Sequence, residues 1–262
     1  MKNKVQIMGI INITRDSFYP ASRTGDIDDA IRIARNMIED GAMILDIGAC
    51  STRPGCTPVS EIEERNAIIP VLKALKKEFP HTRISIDTFR HDIASEAIDN
   101  GVDIINDISG GNDNMWEVVR NSSCSYILTH NPEHTGFSPT DDTHLYIDSV
   151  IQWYEARIKQ MRDMGIEDII IDPGFGFGKT MEENYHILSH MDMLKDWGLP
   201  ILAGLSRKSM IYKTLSISPE QALGGTMVLN TISIEKGADI LRVHDVKEAS
   251  QVIKLVEMVS NN

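Results

Sequence analysis

The chain has 262 residues, with 26 basic and 38 acidic side chains and a net charge of −12. That balance argues against general nucleic-acid binding, so any anionic ligand must be held by a local cluster of Arg, Lys and backbone N–H groups. Cysteine is scarce and odd in number (Cys50, Cys56, Cys124) with no C-x-x-C. Neither a disulfide framework nor a structural zinc site is implied, and a reducing cytoplasm fits. No apolar run reaches the ~18 residues of a membrane span.

Val5 to Ile13 is apolar with few breaks and reads as a first strand ending near Asn12. Its breaks at Gln6 and Asn12, without a cleavage site, set it apart from a signal peptide. Ile27, Ile31, Ala34 and Ile38 form the stripe of an amphipathic helix, closed by Gly41 as C-cap. Met43 to Ile47 is strand two, and a polar loop with Ser51, Thr52, Arg53 and Pro54 follows. Ser60 and Glu63 have capping-box spacing and open a helix that contains Pro70. Strand three is Ile84 to Thr88, and a helix from Asp92 to Asn100 is capped by Gly101.

Strand four is Ile104 to Ile108 and strand five Tyr126 to His130. Asn131 to Asp142 reads as a loop, and Leu145 to Met164 as a long helix. Ile169-Ile170-Ile171-Asp172 is strand six, running into Pro173-Gly174-Phe175-Gly176-Phe177-Gly178-Lys179-Thr180. This glycine-rich turn resembles a P-loop, but the first glycine of that pattern falls on Pro173, and Asp172 would face the phosphate. The reading adopted is an aspartate at a strand end, with glycines that let backbone approach a flat ligand. Pro200 to Gly204 is strand seven, followed by Ser206-Arg207-Lys208. Ser218-Pro219 starts a helix that Gly224-Gly225 interrupts and that resumes from Thr226 to Lys236. Ile240 to Asp245 is strand eight, and Ala249 to Val259 the final helix.

Strict β/α alternation implies a parallel sheet. Eight units in this length fit a closed (β/α)8 TIM barrel forming a single domain over 1–262, since such barrels need about 250 residues. An open doubly wound sheet would carry G-x-G-x-x-G after strand one, and none is there.

Barrel active sites lie at the C-terminal strand ends. The polar residues expected there are Asn12, Asp46, Asp87, Asn106, His130, Asp172, Lys208, Arg242 and His244. Asp87, Asn106 and Asp172 would suit a ring with adjacent amide and amine donors. Arg242 and His244 share one side of strand eight. With Arg53 they make a phosphate or diphosphate site. His186 and His190 are four apart on a helix but lack the glutamate of a zincin, so metal binding there is not expected.

Seven segments together resemble the dihydropteroate synthase family. They are Met8 to Phe18, Asp46 to Gly55, Ser85 to Thr88, Ile104 to Gly110, Asp172 to Lys179, Ser206 to Ser209 and Arg242 to Asp245. They span nearly the whole chain in the family's order. The resemblance implies a transferase of folate biosynthesis. It would condense 6-hydroxymethyl-7,8-dihydropterin diphosphate with 4-aminobenzoate to 7,8-dihydropteroate and diphosphate. By the same resemblance, Asp87, Asn106, Asp172, Phe177, Lys208 and Arg242 hold the pterin. Asn12, Thr52, Arg53, Arg242 and His244 hold the diphosphate, with Mg²⁺ beside it at Asn12. Phe18, Pro54, Ser206 and Lys208 contact the 4-aminobenzoate. Asp87, Asp172, Lys208 and Arg242 are the expected catalytic groups. Sulfonamide inhibition and a homodimer through the late helices are also implied. The chain departs from the family at Arg15, at Tyr19 to Ser22, at Ala49-Cys50 and at Thr129-His130-Asn131. The rival readings are a corrinoid-dependent pterin methyltransferase and a non-catalytic pterin-binding paralogue. Ser51 to Gly55 and Ser206 to Lys208 count against the first, and Arg53, Arg242 and His244 against the second.

Overall fold

The computed structural model describes residues 4–13, 23–49, 59–135 and 146–260. Its elements alternate from the start: β1 (Gln6–Asn12), α1 (Arg23–Asp40), β2 (Ile44–Gly48), α2 (Glu61–Glu78), β3 (Arg83–Asp87), α3 (His91–Asp99), β4 (Ile104–Asp107), α4 (Asp113–Val119) and β5 (Ser125–Thr129). The second half continues with α5 (Pro132–Thr135), α6 (Tyr146–Asp163), β6 (Ile169–Asp172), α7 (Met181–Ser189), a 3-10 turn (Met191–Trp197) and β7 (Leu202–Ala203). Then come α8 (Ser209–Thr214), a 3-10 turn (Pro219–Gln221), α9 (Leu223–Glu235), β8 (Ile240–Val243) and α10 (Val246–Ser260). The strands are all parallel, in the order β6-β5-β4-β3-β2-β1-β8-β7. A parallel bridge from Ile171 to Ile201 joins the two ends and closes the barrel.

Period-two alternation decides what faces the barrel axis. Met8, Ile44, Ile104, Ile127, Ile170, Leu202 and Ile240 form a separate apolar plug inside it. The alternate residues, such as Leu45, Ile105, Tyr126, Leu128, Ile171 and Leu241, face outward and pack under the helices. Moving two residues along each plug strand gives the next inward layer: Ile10, Asp46, Asn106, Thr129, Asp172, Gly204 and Arg242. The plug is apolar, whereas the layer above it carries charge. The change from apolar to polar along the same inward face places the site.

Local signals explain the helices. Ser60 and Glu63 cap α2 reciprocally, with Glu63 N–H donating to Ser60 Oγ at 3.3 Å and Ser60 N–H to Glu63 Oε2 at 2.8 Å. Pro70 sits on the solvent face of α2, which continues past it. Thr180 and Glu183 make a second capping box at α7. Three expectations change. Pro132–Thr135 is a short helix, where a loop is read over 131–142, and 136–142 lie outside the described residues. Gly224-Gly225 do not interrupt α9, which runs through both. A Cβ on Gly225 would stand 2.4 Å from Ile211 Cγ2, so this glycine serves close packing against α8 rather than a break. The last helix starts at Val246, three residues before the expected Ala249. Among the described residues, no helix is long and apolar enough to cross a membrane.

Candidate active site

β2, β3, β4, β6 and β8 deliver Asp46, Asp87, Asn106, Asp172 and Arg242 to one depth of the barrel. Arg242 Nε donates to Asp46 Oδ2 at 2.7 Å, and Arg242 Nη2 to Asp87 Oδ2 at 2.7 Å. Asn106 Nδ2 donates to the same Asp46 oxygen at 3.2 Å. Asp46 Oδ1, Asn106 Oδ1 and Thr129 Oγ1 are buried and make no hydrogen bond among the described residues. A buried acceptor left unpaired costs about 1–3 kcal/mol. The layer is therefore built for a ligand that brings donors.

Lys208 is the second cation. Its ammonium donates to the Phe175 carbonyl and stands 4.6 Å from the centre of the Phe177 ring. Burial pulls its pKa down to about 8, against the pull of Asp172 in the other direction. Burial also raises Asp172, opposed by Lys208 and by the Gly174 N–H, which donates to Asp172 Oδ1 at 2.8 Å. Asp87 is pushed up to about 7 by burial, although Arg242 pulls it down. Three carboxylates (Asp46, Asp87, Asp172) face two cations (Lys208, Arg242), a formal surplus of one negative charge. That surplus suits a donor-rich ring or developing positive charge.

Above this layer a cavity opens at the strand ends. Its wall includes Asn12, Phe177, Ser206, Lys208, Arg242 and His244. Ser206 Oγ lies 3.0 Å from His244 Nδ1 and accepts from the His244 N–H at 3.3 Å. The structure thus gathers Asn12, Asp87, Asn106, Asp172, Phe177, Ser206, Lys208, Arg242 and His244 around one axis. Phe18, Thr52, Arg53 and Pro54 lie outside the described residues.

His130 does not join them. It falls on the outward phase of β5 and packs edge-on to Trp153, with ring centres 5.0 Å apart. Burial pulls its pKa down to about 2, so it is a neutral core ring. Two residues to which the sequence reading gives a place but no partner matter here. Asp46 bridges Arg242 and Asn106, and its position at a strand end beside Asp87 was the available signal. Arg207 takes a left-handed φ of 55° and bolts the loop after β7. It donates to both Asp245 oxygens at 2.9 Å and to the Glu220 carbonyl at 2.7 Å. His186 on α7 and His190 at its C-cap pack with tilted rings 4.4 Å apart, and among the described residues no cluster of three metal-ligating side chains occurs.

The model of the pterin binding enzyme family matches residues 8–244. The chain belongs to the pterin-binding enzyme family. Within it, a dihydropteroate synthase of Clostridium beijerinckii is 38% identical over 261 residues, covering 98% of this chain and 94% of the relative. The structure of the Clostridium difficile dihydropteroate synthase in the presence of pteroic acid superimposes with a TM-score of 0.90 at 37% identity, over 99% of this chain and 98% of that one. A Yersinia pestis dihydropteroate synthase in complex with a sulfonamide drug gives a TM-score of 0.88 at 35% identity, over 99% and 95%. These family members match the barrel end to end, so the family assignment covers the interior layer and the cavity together.

Proposed function

We propose that this barrel condenses 6-hydroxymethyl-7,8-dihydropterin diphosphate with 4-aminobenzoate, releasing diphosphate and 7,8-dihydropteroate. The observation that carries the reading is the inward acid–amide layer beneath a cavity whose rim holds Asn12, Ser206 and His244. The near-full-length likeness to dihydropteroate synthases supports it.

Asp87, Asn106 and Asp172 accept from and orient the pterin ring. Lys208 and Phe177 close over it, and Arg242 lies between ring and anion. Asn12, Thr52, Arg53 and His244 hold the diphosphate. Ser206, with Phe18 and Pro54, contacts the aminobenzoate beside Lys208. The arylamine nitrogen gives its lone pair to the pterin CH₂ carbon. The C–O bond breaks with its electron pair on the diphosphate, and the nitrogen sheds a proton. Carboxylates at Asp87 and Asp172 stabilise positive charge as it spreads into the ring.

Asn12 fits a Mg²⁺ ion. It is an exposed amide at the end of β1 and on the cavity wall, and Mg²⁺ takes few protein ligands beside substrate phosphates and water. When bound there, the ion would neutralise charge on the leaving diphosphate. The few cysteines fit a reducing cytoplasm.

Sulfonamides carry the arylamine para to a sulfonyl group, so they are expected to compete with 4-aminobenzoate. Their affinity should rise when pterin, diphosphate and Mg²⁺ order the second-substrate slot, as linked binding requires. Inhibition kinetics and binding with and without diphosphate test this. Inhibition noncompetitive with 4-aminobenzoate would contradict the slot.

A homodimer through the late helices belongs to the same reading. Val228 and Ile232 on α9, and Leu255, Met258 and Val259 on α10, are exposed and apolar. A stripe of this kind on adjacent helices favours a self-complementary contact. Light scattering at micromolar concentration is expected to give twice the chain mass, and Ile232→Glu with Leu255→Glu the monomer. A monomeric parent protein would contradict it.

A further inference from the structure

Lys179 ends the glycine-rich turn, yet its side chain does not reach the cavity. It folds back beneath the turn, and its ammonium donates to three backbone carbonyls: His130 at 2.6 Å, Gly174 at 2.8 Å and Phe177 at 3.2 Å. An ammonium has three N–H donors and a neutral amine has two. The three acceptors therefore match the charged form. One carbonyl belongs to the end of β5, one to the start of the turn and one to its tip. Lys179 ties all three to one point.

Within the turn itself, the Phe177 N–H donates to the Gly174 carbonyl at 3.1 Å. Gly174, Gly176 and Gly178 all take left-handed φ values, of 65°, 82° and 52°. A Cβ on Gly174 would stand 2.1 Å from the His130 carbonyl oxygen, and one on Gly178 2.8 Å from Glu133 Cγ. The backbone is pressed against β5 and α5, and glycine permits that closeness without enforcing it. Asn184 holds the far end of the turn, accepting from the Gly176 N–H at 2.6 Å and donating to the Thr180 carbonyl at 2.6 Å.

The same turn carries groups of the site. Its Gly174 N–H donates to Asp172, its Phe175 carbonyl accepts from Lys208, and its Phe177 ring lies against the Lys208 ammonium. We propose that Lys179 is a positioning residue: its part-buried ammonium fixes the turn so that Asp172, Phe177 and Lys208 hold one arrangement around the pterin. This rests on the reading of the inward layer as the pterin pocket.

Burial also pulls the Lys179 pKa down to about 7, opposed by Asp172 on β6, Glu183 on α7 and Glu133 on α5, while Lys208 after β7 pushes it further down. The anchor is therefore complete below about pH 7 and loses a donor as pH rises through it. Lys179→Met keeps most of the stem and removes the donors. Lys179→Arg keeps a charge that does not titrate in this range. Calorimetry with a pterin lacking diphosphate should show Lys179→Met weaker by about tenfold or more, the equivalent of one charge-assisted hydrogen bond. The loss should appear in the pterin KM more than in the KM for 4-aminobenzoate. Between pH 6.5 and 8.5 wild-type pterin affinity should lose ground relative to that of Lys179→Arg, since Asp87 and Lys208 titrate in both. Amide hydrogen exchange over 173–180 reads the order of the turn without ligand and should quicken in Lys179→Met. If that variant fails to fold, the pH comparison with Lys179→Arg decides alone. Wild-type pterin affinity in a folded Lys179→Met, or identical pH profiles for wild type and Lys179→Arg, overturns the proposal. Failure of the wild-type protein to bind the pterin overturns the pocket reading instead.

Discussion

Arg242→Met is expected to remove activity and to destabilise the fold by about 3–5 kcal/mol, the usual cost of stripping one partner from a buried ion pair. The guanidinium reaches Asp46 and Asp87 together, at 2.6 Å and 2.7 Å from Nη2. Without it two carboxylates remain buried and opposed. The sign of the pH dependence follows. The folded-state pKa of Asp87 is already raised from 3.8 to about 7, so its neutral form is the favoured one in the folded protein. Its contribution to stability is complete below about pH 4 and is lost as pH rises through about 7. Removing Arg242 moves that window further up. Denaturant titrations should therefore show a larger penalty for Arg242→Met at pH 8 than at pH 5. A penalty under about 1 kcal/mol, or one equal at both pH values, would mean that the pair is exposed and dispensable.

Asp172→Asn and Asp87→Asn should each weaken binding of a pterin lacking diphosphate by about 1–3 kcal/mol, roughly fivefold to 150-fold in Kd. Asp172→Asn is the cleaner of the two. An asparagine oxygen still accepts from the Gly174 N–H, so the loss reports the missing charge opposite Lys208. Asp87→Asn also disturbs Arg242. Its value lies in the pH profile. A carboxyl near about 7 must be ionised to accept ring donors, so affinity rises with pH through that range, while Lys179 and Lys208 lose protons on the alkaline side. The wild-type profile should be a bell, and Asp87→Asn should lack its acid limb. Calorimetry from pH 5.5 to 9 checks both points. Unchanged affinity in both variants would sink the pocket assignment.

The barrel was legible because its strands are buried on both faces and read as short apolar runs between amphipathic helices. Much of the site was legible for a related reason. Polar side chains such as Asp46, Asp87, Asn106 and Asp172 close otherwise apolar strands, where burial demands a partner. The pairing within the layer was not legible. Arg242 meets carboxylates 196 and 155 positions away, and only barrel closure brings them together. His130 misled because a strand-end position says nothing of phase. It sits one residue beyond inward Thr129 and so faces the helices. Lys179 and Arg207 were passed over because long side chains can turn back on their own backbone. Gly224-Gly225 looked like a break because propensity is local, whereas the missing Cβ at Gly225 serves contact with Ile211.

The most direct measurement is product formation by the purified chain. Dihydropterin diphosphate, 4-aminobenzoate and Mg²⁺ are incubated with the protein, and dihydropteroate and diphosphate are both quantified. The two products are expected to appear in equimolar amounts, dependent on both substrates. Tight pterin binding with no dihydropteroate, or diphosphate release that continues without 4-aminobenzoate, would contradict it.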